Sequence, residues 1–269
     1  GVTLEALASV FRRLDEGGNR PASTLPLTKA MGVDPRIQQD AQEFGRFLFM
    51  ALEGEGGNPN AIAGSDGGLS GAINELFAGR LMNYIECVDV PFTKETEEVF
   101  YDLPLDIKGS GTLRNSLDRF TEVELMAGEN RWRAGEHGLQ EARRGVRFIA
   151  LPPVLQFHLK RFEYDPYRDD LAKIHDRFEF PTELDMSPWL ATPSASPASS
   201  DSGDSFSDDS SETSSECSSE PSSDCSSRYH LSAIVMHVGG PAAGHYYAYV
   251  RHTSPPSPSD VGRSVGGGV

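Results

Sequence analysis

The sequence predicts an α+β domain. Three observations carry that prediction: helical periodicity is concentrated in the first third of the chain, alternating β-branched and aromatic segments take over after residue 76, and no regular strand–helix–strand rhythm joins them. Leu4, Leu7, Ala8, Phe11 and Leu14 recur at helical spacing, which predicts an amphipathic helix over residues 3–16, stopped by Gly17-Gly18. Asp34-Pro35 offers an N-cap and a proline for the first helical position. A second helix is therefore expected from there, with Phe44, Phe47, Leu48, Ala51 and Leu52 on its apolar face. Residues 54–71, rich in Gly, Asn and Ser, read as a loop. Two long strands are expected within 76–108 and a helix over 112–125. Strands follow at 146–151 and 154–162. In the latter, Leu155, Phe157 and Leu159 face one way and Gln156, His158 and Lys160 the other.

Composition narrows the function classes. Hydrophobic residues make up 38% of the 269, enough to bury a sizeable core. The net charge of −16 is uneven, because residues 201–225 hold eight acids and no Lys, Arg or His. Half of the charge thus sits in one tract, and the balance is ordinary for a soluble domain. Arg12-Arg13 and Arg143-Arg144 are too short and scattered to form a nucleic-acid surface. No apolar run is long enough to span a bilayer, and no basic-then-apolar leader opens the chain, so neither nucleic acid nor membrane is an expected partner. Cys87, Cys217 and Cys225 form no spaced framework, which fits the cytoplasm or nucleus.

Residues 191–227, dominated by Ser, Asp, Glu and Pro, cannot bury enough apolar surface to offset ordering entropy of about 1–2 kcal/mol per residue. They are expected to be a disordered insertion within one domain, since strand-like sequence resumes at Tyr229. Ser205 and Thr213, each three residues ahead of an acid, make the tract a candidate for an acid-directed kinase. A first residue Gly1 and a Ser/Pro/Gly tail over 254–269 suggest a fragment.

Chemistry concentrates near the end of the chain. Residues 229–238 alternate as a strand, Gly239, Gly240 and Gly244 make a glycine-rich turn, and His245-Tyr246-Tyr247-Ala248-Tyr249-Val250 is a strand that opens on a histidine. A histidine at a strand edge beside a flexible turn can serve as general base and then acid for a thiol nucleophile. On spacing alone it reads more readily as a packed or solvent-facing side chain, and the surrounding pattern is what reverses that reading. Upstream, Asp40 and Glu43 lie in Gln39-Asp40-Ala41-Gln42-Glu43-Phe44, by themselves an acidic first helical turn favoured by the helix dipole.

Together these boxes resemble the ubiquitin-specific cysteine proteases. Gln39 to Phe44 is similar to that family's acidic helix, Leu151-Pro152-Pro153-Val154-Leu155-Gln156-Phe157-His158-Leu159-Lys160-Arg161-Phe162 to its palm strand, and Gly244 to Val250 to its histidine box. Residues 134–142 and 176–181 look most like the herpesvirus-associated type. The resemblance implies a papain-like α+β hand with thumb, fingers and palm, incomplete at its N-terminus. Its parts would be a partial thumb, fingers and palm over 1–190, the acidic insertion at 191–227, and the palm strands with the histidine box over 228–253.

It also implies a deubiquitinase that hydrolyses the bond after ubiquitin's terminal glycine, with ubiquitin and ubiquitinated proteins as partners. His245 would be the proton carrier, and Asp40 and Glu43 would grip the arginines of ubiquitin's tail through charge-assisted hydrogen bonds. Gly239, Gly240 and Gly244 would let that tail approach. Asp260 stands where the family supplies the residue that orients the imidazole, but in a proline-rich context without the family's aromatic flank. The family's nucleophilic cysteine lies in a segment ahead of the first box, and none of the three cysteines here corresponds to it. The chain alone is accordingly expected to be inactive, and the alternative is a ubiquitin-binding or scaffold module without catalysis. Cys87 with Val90 and Ala134 with His137 occupy the positions of the family's zinc-binding pairs, so no metal and no cofactor is expected.

Overall fold

A computed structural model describes residues 1–16, 21–34, 36–37, 39–56, 69–167, 169–191, 227–241 and 243–251. Helices α1 (Val2–Glu16), α2 (Leu25–Ala30), α3 (Ala41–Gly56) and α4 (Leu69–Phe77) form an N-terminal layer in which α1 packs on α2 and α3, and α3 on α4. Strands β1 (Gly79–Cys87), β2 (Thr93–Phe100) and β3 (Leu103–Asp106) follow, then α5 (Leu113–Phe120). Short strands β4 (Glu124–Met126), β5 (Trp132–Arg133) and β6 (Leu139–Gln140) lead into the long β7 (Ala142–Ala150). The chain continues through β8 (Phe157–Lys160), β9 (Phe162–Asp165), β10 (Asp170–Lys173), β11 (Glu183–Asp185), β12 (Arg228–His230), β13 (Ala233–Gly239) and β14 (Gly244–Val250).

The α+β expectation holds, and the topology explains why no simple rhythm is visible in the sequence. An antiparallel sheet runs β2-β1-β7-β4, so β7 returns beside β1 from more than fifty residues away. β3 pairs in parallel with β8, Leu105 opposite Leu159. The core lies where these two sheets meet α5: Phe148, Leu103, Leu105, Leu117 and Met186 are almost fully buried. Phe148 stacks on Phe120 at 5.8 Å and meets the edge of Phe100 at 5.9 Å. Burying one such aromatic contributes about 1.5–3 kcal/mol. Thr112 caps α5, its hydroxyl accepting from the Asn115 amide at 3.2 Å. Leu155, Phe157 and Leu159 pack against this core as their alternation predicts.

Several elements differ from the sequence reading. The stripe on α1 is only partly covered: Leu7 and Ala8 are half-buried, but Phe11 and Leu14 are 61% and 52% exposed, while Thr3, outside the stripe, is buried. Periodicity identifies a helix, but neighbours decide which side is covered. Asp34 opens no helix. It accepts from the Arg36 amide at 3.0 Å in a local turn, α3 begins only after Asp40, and Pro35 lies outside the described residues. Residues 54–71 are not all loop, since α3 runs to Gly56 and α4 starts at Leu69. α2, with Pro26 in its first turn, also escaped the reading. Leu125, expected in a helix, sits in β4 opposite Arg143 because the edge of β7 recruits it. Gly17-Gly18 and most of 191–227 lie outside the described residues. The ends of that tract meet: β11 pairs with β12, and the Met186 amide donates to the Ser227 carbonyl at 2.8 Å.

Candidate active site

Asp40 is the N-cap of α3. Its Oδ1 accepts from the amides of Gln42 at 2.8 Å and Glu43 at 3.3 Å, satisfying donors that the first helical turn leaves unpaired. Its Oδ2 accepts a hydrogen bond of 2.7 Å from the Tyr246 hydroxyl, across 206 residues of sequence. The acidic helix and the histidine strand are thereby joined at neighbouring residues, Asp40 to Tyr246 with His245 beside it. Burial pushes the Asp40 carboxyl upward, but the bonds from Tyr246, Gln42 and Glu43, with the nearby charge of His158, outweigh it and hold the group below the usual carboxylate range. Burial and the same carboxylate push the Tyr246 hydroxyl up to about 12, so at neutral pH it remains a donor. Glu43, in the next position of the turn, is exposed.

The helix is anchored to the sheets by a second polar cluster. Asp102, only 8% exposed, accepts from Gln42 Nε2 at 2.6 Å and from Arg46 Nη2 and Nε at 2.8 and 3.1 Å. Gln42 and Arg46 are four apart and so share a helical face. Neither Tyr246 nor Asp102 was singled out in the sequence, because each acts through a partner far along the chain.

The glycine turn follows its expected form. In the β13–β14 hairpin Gly239 pairs with Gly244, Val238 with His245 and His237 with Tyr246. Gly239 adopts φ +116°, a conformation that side chains disfavour, and the Gly240 amide closes the turn by donating to the Ala243 carbonyl at 3.0 Å. A side chain at Gly244 would run into the His237 ring. Strand alternation puts His245 on the face opposite Tyr246, and its ring is exposed. Asp260 lies outside the described residues, as do Cys217 and Cys225. Cys87 is buried at the end of β1, opposite Ala142.

Where the zinc-binding pairs of the resembled family would fall, the rings of Trp132 and His137 each lie 5.7 Å from Phe92. His137 lies in a 3-10 turn, so it shares no helical face with Glu141. Among the described residues no cluster of three or more His, Cys, Asp or Glu could hold a metal ion. Nor is any of their helices long and apolar enough to cross a membrane.

Comparison with known proteins bears on what this arrangement is. The sequence profile of the family described as "Ubiquitin carboxyl-terminal hydrolase" matches residues 3–256. The chain is 39% identical over 251 residues to ubiquitin C-terminal hydrolase 12 of Arabidopsis thaliana, covering 92% of this chain and 20% of the relative. It is 35% identical to ubiquitin carboxyl-terminal hydrolase 15 of Schizosaccharomyces pombe, covering 91% of this chain and 19% of that one. To ubiquitin carboxyl-terminal hydrolase 7 of Drosophila melanogaster it is 40% identical, over 69% of this chain and 16% of the relative. Among solved structures, a chain of the SAGA Ubp8/Sgf11/Sus1/Sgf73 DUB module bound to ubiquitin aldehyde superposes with a TM-score of 0.68 at 25% identity, covering 94% of this chain and 52% of that one. The chain spans about a fifth of the length of the curated relatives it matches.

Proposed function

The chain belongs to the ubiquitin carboxyl-terminal hydrolase family, with that family's papain-like α+β fold, and from that premise we propose that it is the working part of a cysteine-type deubiquitinase. The observation that carries the proposal is the Asp40–Tyr246 contact, which brings the acidic helix to the histidine strand. In this reading His245 takes the proton of a thiol nucleophile and returns it to the leaving amine. None of Cys87, Cys217 or Cys225 is that nucleophile: Cys87 is buried, and carboxylates around the other two would raise a thiol's pKa. The thiolate is supplied from outside residues 1–269.

Glu43 and Asp40 hold the arginines of ubiquitin's tail. Glu43 is the more available of the two, because Asp40 already caps α3 and accepts from Tyr246. Gly239, Gly240 and Gly244 keep the turn bare enough for the tail to pass, and Asp260 orients the imidazole. Residues 1–190 and 228–253 form one domain interrupted by the acidic insertion, a division supported by the β11–β12 pairing across it. Within the family the similarity of 134–142 and 176–181 supports the herpesvirus-associated type. Phosphorylation of Ser205 and Thr213 by an acid-directed kinase, in the cytoplasm or nucleus, is checked by mass spectrometry of the tract from cells.

The activity is tested on the intact protein with ubiquitin carrying a thiol-reactive electrophile at its C-terminus. The expected result is a covalent adduct on a cysteine other than 87, 217 or 225. Reversible ubiquitin binding without an adduct would overturn the enzyme reading in favour of a non-catalytic ubiquitin-binding module.

A further inference from the structure

Lys173 ends β10, paired across its hairpin with Phe162. Half-buried, it reaches over to the β13–β14 hairpin. Nζ donates to the carbonyl of His237 at 2.9 Å and to that of Gly239 at 3.1 Å, and lies 3.0 Å from Nδ1 of His237. Three acceptors thus meet the three N–H donors of one ammonium group. The two carbonyls flank Val238, and Val238 is the cross-strand partner of His245.

The surroundings fix His237 as part of the same joint. Phe162 meets its ring edge-on at 5.3 Å and Tyr246 approaches it at 4.7 Å. Burial and the adjacent Lys173 charge hold the imidazole below its ordinary pKa, so it stays a neutral acceptor for the ammonium. Among the described residues little else packs on this hairpin, where Val235, Val238, Tyr249 and Val250 are mostly exposed.

We propose that Lys173 is a positioning residue: by fastening the backbone on both sides of Val238 it holds the glycine turn and the start of β14, and so sets where His245 presents its imidazole. The proposal rests on the reading of His245 as the proton carrier of a deubiquitinase. Its effect belongs in turnover rather than in binding, because misplacing a proton-transfer group by about 1 Å costs on the order of 10²-fold in rate.

The test replaces Lys173 by Met in the intact protein and reads two quantities. Amide hydrogen exchange over residues 238–245 is expected to quicken by about tenfold. Cleavage of ubiquitin bearing a fluorogenic group at its C-terminus is expected to show kcat lowered by about tenfold with KM within about twofold, and Lys173→Arg recovering part of the loss. Unchanged exchange overturns the clamp whether or not the protein is active. Faster exchange with unchanged kcat, or a loss confined to KM, overturns its role in placing His245. A wild-type protein that cleaves nothing overturns the deubiquitinase reading, and the assignment to His245 with it, while the exchange result still decides the clamp. Should Lys173→Met fail to fold, Lys173→Gln takes its place under the same criteria, since two amide N–H groups cannot serve three acceptors.

Discussion

Phe148, Leu103, Leu105 and Leu117 expose almost nothing to solvent, whereas on the β13–β14 hairpin Val235, Val238, Tyr249 and Val250 are each more than half exposed. Around Phe148, position follows from close packing, where every neighbour constrains every other. Around His245 it follows from a few directional contacts: Lys173 to two carbonyls and an imidazole, and Tyr246 to the cap of α3. The difference implies that changes near Phe148 register in folding, and that changes near His245 leave the fold largely intact. α3 stands between the two, tied to the sheets by the buried carboxylate of Asp102.

The comparison is broken most directly at its His245 end. His245→Ala is expected to lower turnover in the intact protein by about 10²–10⁴-fold while ubiquitin affinity and melting temperature stay near wild type. A matching loss of stability would mean that the hairpin is part of the packed core. At the other end, Phe148→Ala is expected to cost about 3–5 kcal/mol in urea denaturation, because it removes a ring enclosed by Phe100 and Phe120 and leaves a cavity. A cost below about 1 kcal/mol would show that the site collapses freely, contrary to dense packing.

Smaller effects sharpen the boundary. Asp102→Ala removes the acceptor of three hydrogen bonds from α3. Arg46 is largely exposed and can return to water, so the expected loss is about 1–3 kcal/mol in the same denaturation measurement. Asp40 serves two roles that one substitution separates. Asn is as good an N-cap as Asp, so Asp40→Asn should cost only the lost acceptor for Tyr246, about 0.5–1.5 kcal/mol. It should nonetheless weaken ubiquitin binding severalfold by titration calorimetry, and unchanged affinity would remove Asp40 from the tail-binding set.

The smallest effect is electrostatic. Asp40's folded-state pKa lies below its unfolded value, so the group contributes stability that is present above the usual carboxylate range and lost as pH falls through the folded pKa. Tyr246→Phe deletes one of the bonds that depress it. Its carboxyl midpoint, followed by carbon NMR, should move upward, and the acid-side loss of stability should be smaller and complete at higher pH. His237 behaves in the same sense near neutrality: its depressed pKa means that stability present above about 6.5 declines as pH falls.

Much of this was legible in the residues. The alternation of Leu155, Phe157 and Leu159 was enough to assign their inward face, because a strand's period of two needs only one covering neighbour. The glycine turn was readable for a similar reason, since Gly239 takes a backbone conformation that depends little on distant contacts. The α1 stripe is covered only at Leu7 and Ala8, because periodicity could not say how far a neighbour would reach along it. The start of α3 was misplaced at Asp34 because Asp34 and Asp40 are both good caps. Only Asp40 is also fixed from outside, by Tyr246.

The sequence by itself determined that the chain is α+β, where its acidic helix and histidine box lie along it, and that its charge gathers in one tract. These are matters of local periodicity, turn chemistry and composition, each contained within a few consecutive residues. The tertiary structure alone decided that Asp40 answers to Tyr246, that Asp102 ties α3 to the sheets, and that Lys173 holds the carbonyls beside Val238. Each of those is a hydrogen bond between groups about 56 to 206 residues apart, and its geometry exists only after β7 has returned to β1 and the hairpins have met.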